Sequence, residues 1–138
     1  MSFQPPISII QAIRNIDTNQ YLLPSIQREF TWWENQIRWL FDSIMQGYPI
    51  NSFLLWKVEG ETKYKFKYYQ ILHEFIEYHK RNNPVFDVKG SPGFFGILDG
   101  QQRLTALYIG LKGTFAWHKK YANWNELNDE NFPPRRLY

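Results

Sequence analysis

The sequence predicts an α/β fold of the α+β kind, a small mixed sheet with helices packed on it. Three observations predict it. Phe53–Val58 and Phe94–Leu98 are short apolar runs of strand length, each bounded by turn residues. Between Glu34 and Met45, the apolar residues Ile37, Leu40, Phe41, Ile44 and Met45 recur at three- and four-residue steps, the signature of an amphipathic helix. Finally, Ile97–Leu107, ILDGQQRLTAL, reads as the end of a strand, a polar turn at Asp99-Gly100, and a helix carrying Leu104, Leu107 and Leu111.

Taken in order, the chain starts with an arm, Ser2–Pro6. Ser8 then N-caps a helix with the stripe Ile9, Ile10, Ile13 and Ile16, which Asp17-Thr18-Asn19 stops. Tyr21–Leu23 is a short extended strand, because Pro24 forces its predecessor out of the helical region. Gln27-Arg28 falls in the loop that follows. Thr31 or Trp33-Glu34 opens the second helix, with Gly47 as its C′ residue and Pro49 barring continuation. The unbroken apolar run of Phe53–Val58 suggests a strand buried on both faces. Glu59-Gly60-Glu61 is a turn, and Thr62–Lys67 alternates as a half-exposed strand with its lysines outward. Tyr69, Leu72, Phe75, Ile76 and His79 have helical spacing, ended by Lys80–Pro84, and 82–92 is a loop. The helix beginning at Arg103 runs to about Leu111 and stops at Gly113. Beyond Trp117 the chain turns polar, with a further strand expected near Arg136, so that 1–138 reads as a fragment of a longer protein.

Composition narrows the function classes. The chain of 138 residues has a formal net charge of +3, a mild basic balance that permits nucleic acid without demanding it. Six Trp, nine Tyr and eleven Phe supply rings for a thick core and for stacking surfaces. No Cys is present, which removes disulfides, thiolate metal sites and thiol nucleophiles and agrees with a cytoplasmic location. MSFQPPISII has neither the basic start nor the long apolar run of a signal peptide, and no stretch is long enough to span a membrane.

Few constellations carry chemistry. His73, His79 and His118 lack partners at metal-ligand spacing. The sequence holds no Gly-x-Ser-x-Gly, no Walker loop and no His-Glu-x-x-His. Lys63, Lys65 and Lys67 read either as a solvated strand face or as contacts to a DNA backbone. Two polar clusters remain, Gln27-Arg28 and Asp99–Arg103, each after a strand-like segment and before a helix. Ligands in open α/β sheets bind at the carboxyl ends of strands, so the two turns can face one crevice. Gln27-Arg28 alone is either a surface loop over its own aromatics or a pocket wall with Arg28 aimed at phosphate. At the other cluster, a helix start favours anions, Asp99 suits a metal or a sugar hydroxyl, and Arg103 suits phosphate. The plainer alternative is a capped turn with Arg103 on the helix surface.

Three stretches, Leu23–Trp32 (LPSIQREFTW), Gly47–Ile50 (GYPI) and Leu98–Thr105 (LDGQQRLT), resemble in order the motifs of the GmrSD-type domain, the ParB/sulfiredoxin-like N-terminal half of GmrSD restriction and phage-defence proteins. The resemblance implies a ParB-like NTP-binding domain over 1–138, holding ATP, GTP or CTP with Mg²⁺. Carried onto this sequence, it implies catalytic roles for Asp99, Gln101, Gln102 and Arg103, with Asp99 beside the metal or ribose, the glutamines on phosphate or water, and Arg103 neutralising phosphate charge. Gln27 and Arg28 would close the pocket from the other side. Gly100 and Thr105 belong to the nucleotide-binding motif, and Trp32 or Phe30 would buttress the loop or stack near the base. An HNH-type nuclease half or subunit follows in full-length members, and a homodimer is compatible with the pattern. No His-Asn-His pattern occurs here, so this chain alone should lack that nuclease. The leading expectation is an NTP-hydrolysing regulatory module of a DNA-targeting defence nuclease, with DNA reached through the full-length protein. The alternatives are a non-catalytic DNA-binding module using Arg28, Lys63, Lys65 and Lys67, and a ParB-like metal-dependent nuclease.

Overall fold

Ser8 opens the first helix, α1 (Ile9–Asp17), its hydroxyl accepting from the Gln11 N–H at 3.1 Å. The helix buries Ala12, Ile13 and Ile16, while Ile10 stays 64% exposed. In the computed structural model, which describes residues 3–77 and 83–137, α1 is followed by β1 (Tyr21–Pro24), α2 (Glu34–Met45) and β2 (Leu54–Val58). A 3-10 turn (Gly60–Tyr64), β3 (Tyr68–Tyr69), β4 (Glu74–Ile76) and β5 (Val85–Phe86) come next. The chain continues with β6 (Phe94–Asp99), α3 (Gln101–Leu111), β7 (Thr114–Ala116) and β8 (Pro134–Arg135). The expected α/β class holds. Among the described residues, no helix is long and apolar enough to cross a membrane.

Two mixed sheets form. The larger has the order β2-β6-β1-β3-β5, with β1 and β6 parallel and the other neighbours antiparallel. The smaller has the order β4-β7-β8. In β1 every residue is buried, and alternation divides it between two faces. Tyr21 and Leu23 enter the main core with all three helices, whereas Leu22 joins Val58, Tyr68 and Phe94 on the opposite face.

Helix α3 lies at the centre. Nine of its eleven residues are buried, from Gln101 through Gly110 with Arg103 excepted. A helix covered on every side needs neighbours all round, and it packs against α1, α2 and β7. Gly110 permits the approach of α2, because a Cβ there would lie 2.3 Å from the Phe41 ring.

Several expected elements differ. The run at 53–58 is an edge strand, with Leu54 37% exposed, and the doubly buried strand is β1. An apolar run reports hydrophobicity and carries no information about which strand receives neighbours on both sides. Residues 62–67 form no strand: local bonds, Thr62 Oγ1 to Glu59 O and Lys65 N to Thr62 O, curl the segment into the 3-10 turn. Lys63, Lys65 and Lys67 therefore share no strand face, and the Lys63 ammonium donates to the Ser91 carbonyl. The helix expected from Tyr69 is replaced by β3 and β4. Phe75 pairs in register with Phe115 across parallel strands, their rings stacked at 4.6 Å, and this tertiary pairing overrides a spacing that also suits a helix. His79 and the expected helix end at Lys80–Asn82 lie outside the described residues. Val85–Phe86 inside the expected loop pairs with β3. Near the expected last strand, β8 pairs with β7.

A polar clamp ties α1 to α3. The Asp17 carboxylate accepts from the Tyr108 hydroxyl at 2.7 Å and from the Lys112 ammonium at 2.6 Å, and His73 stacks on the Tyr108 ring at 4.4 Å. The Lys112 bond first, then that of Tyr108, holds the Asp17 carboxyl below its ordinary value, against a smaller opposing effect of burial. Burial, with Asp17 as acceptor, raises the Tyr108 phenol. A depressed carboxyl contributes stability above its unfolded value that is lost as pH falls through the native one. Urea midpoints measured from about pH 5 down to about pH 2 should therefore fall more steeply for the native chain than for Asp17→Asn. Tyr108→Phe should cost about 1 kcal/mol at neutral pH.

Candidate functional site

The site is built from the ends of two strands. β1 and β6 run parallel, with Tyr21 opposite Phe95 and Leu22 opposite Gly96. Parallel pairing sends both strands out of the sheet at the same edge. The Gln27-Arg28 loop and the Asp99–Arg103 turn accordingly emerge side by side, as the two clusters were expected to do.

Side chains from the helix start hold the loop in place. Gln101 and Gln102 lie in the first turn of α3, two residues before the expected helix start, and are only 6% and 8% exposed. A buried amide needs partners, and both find them in the neighbouring backbone. Gln101 Nε2 donates to the Arg28 carbonyl. Gln102 Nε2 donates to the Glu29 carbonyl at 2.9 Å, while its Oε1 accepts from the Thr31 N–H at 2.9 Å. The Gln102 amide thus meets the loop through a donor and an acceptor together, as a neighbouring strand would. Gln27 answers from the loop, its Nε2 donating to Leu98 O at 2.8 Å. Phe30 anchors the loop below, 3% exposed and edge-on to Phe75 at 5.8 Å, and Trp32 packs partly buried against the same core.

Arg103 fastens a second loop. Its guanidinium donates to the carbonyls of Ile50 and, at 3.0 Å, of Ser52. It lies 4.8 Å from the Phe53 ring centroid and 3.7 Å from the Asp99 carboxylate. The Arg103 side chain is 16% exposed and that of Asp99 is 73% exposed, so Asp99 faces water and Arg103 faces the protein. The planar fork suits two carbonyls as well as it suits phosphate oxygens. Ile50, Ser52 and Phe53 enter the site only through this contact, and the expected GYPI stretch at Gly47–Ile50 was the one sequence signal near them.

Gly100 makes the turn between strand and helix. Its φ is +90°, a left-handed backbone that glycine adopts without penalty. A Cβ there would lie 2.3 Å from the Phe53 ring. No side chain caps the first turn of α3, whose N-cap Gly100 and first two residues are buried. The exposed side chain of Arg28 makes no ion pair or hydrogen bond among the described residues. Thr105 is 2% exposed and packed inside the fold. Lys63, Lys65 and Lys67 belong to the segment leading into β3 and are not brought into the turn.

Among the described residues, no group of three or more His, Cys, Asp or Glu side chains gathers to hold a metal. Asp99 offers a single carboxylate there, 73% exposed and 3.7 Å from the Arg103 guanidinium.

Two substitutions test this architecture by denaturant unfolding. Gln102→Leu should cost about 2–4 kcal/mol, because it strands the Glu29 carbonyl and the Thr31 N–H. Gly100→Ala should cost about 2 kcal/mol or more, combining left-handed strain with the Phe53 clash. Unchanged midpoints in both variants would contradict the clamp.

No curated protein matches the chain closely enough to be called a relative. A family model described as the N-terminal domain of the GmrSD restriction endonuclease matches residues 9–136. That span takes in α1, both polar clusters, the Ile50–Phe53 loop and β8, and the chain belongs to the GmrSD restriction endonuclease N-terminal domain family.

Proposed function

We propose that this domain is the nucleotide-binding, NTP-hydrolysing regulatory module of a restriction system for phage defence, acting in the cytoplasm beside an HNH-type nuclease half. The observation that supports it best is the parallel pairing of β1 and β6, which gathers Arg28 and the Asp99–Arg103 turn at one sheet edge. In this reading the triphosphate lies over the α3 start. Arg28 contributes its charge from one side and the N–H groups of the first helical turn contribute theirs from below. Asp99 faces the same water and would hold Mg²⁺ together with the phosphates. The metal, when bound, would offset phosphate charge.

Within this reading the glutamines and Arg103 act through position. Gln101 and Gln102 hold the Arg28 loop by its backbone, and Arg103 holds the Ile50–Ser52 loop. Nucleotide affinity then depends on residues whose side chains need not reach the ligand. A ParB-like layout, with the nucleotide at the strand ends, belongs to the same proposal.

Calorimetry with ATP, GTP and CTP in Mg²⁺, paired with phosphate release, tests it. Arg28→Ala should weaken binding at least tenfold, about 1.4 kcal/mol, while leaving the unfolding midpoint in place. Arg103→Ala should abolish binding and lower that midpoint as well. Nucleotide affinity that is the same in the native chain and in both variants would sink the reading.

A further inference from the structure

A second site lies away from the Asp99 turn, beside the three-stranded sheet. Two cavities of about 250 Å³ and about 320 Å³ adjoin there, sharing Glu34, Phe115 and Arg135 in their walls. Together they form one groove between the start of α2 and the segments around β7 and β8. Five cationic side chains line it, Lys119 and Lys120 in the first cavity, Arg38 and Arg136 in the second, and Arg135 in both. One carboxylate, Glu34, faces them, and it pairs with Arg135 at 2.9 Å. Among the described residues, none of the other four has an ion-pair partner, and the Lys120 ammonium rests over the Tyr121 ring at 4.9 Å. Glu126, Asp129 and Glu130 follow in the same stretch of chain but line neither cavity.

Rings are set among these charges. Trp33, 54% exposed, leans on Trp117 with ring centroids 4.3 Å apart. His118 lines the same cavity, and its buried Nε2 has no hydrogen-bond partner among the described residues.

We propose that this groove binds a single strand of nucleic acid. Cations spread along two joined cavities suit a chain of phosphates better than one mononucleotide. Trp117 backs Trp33 from the core side, and the 54% of Trp33 that stays exposed suits an unstacked base, which a duplex keeps inside its stack. An acidic peptide matches the charge and leaves the exposed part of Trp33 unused. The proposal uses none of the residues at the Asp99 turn and stands apart from the nucleotide reading.

The test is fluorescence anisotropy with the whole chain, without NTP, using a labelled oligothymidylate of about 16 nucleotides, a duplex of equal length and a labelled polyglutamate. The oligothymidylate should bind most tightly. The double variant Lys119→Glu, Lys120→Glu should weaken it at least tenfold and reduce the salt slope by about 1.4, as expected for two lost contacts to a single strand. Trp33→Ala should weaken it several-fold with the salt slope unchanged, a result that loss of charge does not produce. Lys65→Glu with Lys67→Glu serves as the comparison and should change affinity less than twofold. Circular dichroism melting confirms that each variant is folded, and Arg136→Glu replaces any that is not. Absence of oligothymidylate binding at low salt, equal or tighter binding of duplex or polyglutamate, or an equal loss in the Lys65/Lys67 variant would overturn it.

Discussion

Two buried glutamine amides hold this structure's most consequential contact. Gln101 and Gln102 sit where α3 begins, almost without exposure, and join the backbone of the Arg28–Thr31 loop. Removing an amide from water without a partner costs several kcal/mol. The loop therefore has little freedom to depart: its carbonyls and N–H groups satisfy the glutamines, and the glutamines satisfy it. Two chain segments more than seventy positions apart become one surface through this exchange.

The same helix start constrains the other side of the site. Arg103 points back into the protein and grips the Ile50 and Ser52 carbonyls, with its plane against Phe53. Gly100 is then confined twice, by a left-handed backbone and by the ring that Arg103 covers. The run Asp99–Arg103 thus combines one water-facing carboxylate, one glycine without room for a side chain, and three long polar side chains turned inward. The division explains how so polar a sequence opens the most buried helix of the fold. It also separates the exposed side chains, Asp99 and Arg28, from the inward groups that keep those two in register.

The groove beside β7 and β8 has a different physical character. At the Asp99 turn, polar groups are nearly all satisfied by backbone. In the groove, cations outnumber carboxylates, and the packed pair Trp33 and Trp117 lines one of its two cavities. In the two proposals made above, the turn would take a small anion and the groove a long one. The two lie at opposite ends of α2's environment, with Glu34 at the groove and Arg103 holding the loop that follows the helix.

Much of this was legible in the sequence where local rules dominate. Ser8 as an N-cap, the Ile37–Ile44 stripe, Gly47 after the second helix and the apolar run ending at Asp99-Gly100 all behave as short-range chemistry dictates. So does the pairing of the two polar clusters, because each follows a strand and precedes a helix. Elements between Thr62 and Ile76 were not legible: alternation without a partner strand curled into a 3-10 turn, and helical spacing gave way to pairing of Phe75 with Phe115. Nor does composition distinguish Leu54, at a sheet edge, from Leu22, at its centre, since both sit in equally apolar runs. The sequence by itself determined which residues are polar at the turn and that a helix begins there. Only the tertiary structure decided which way those residues face, because the direction of Gln101, Gln102 and Arg103 depends on carbonyls at 28, 29, 50 and 52, whose positions no local pattern encodes.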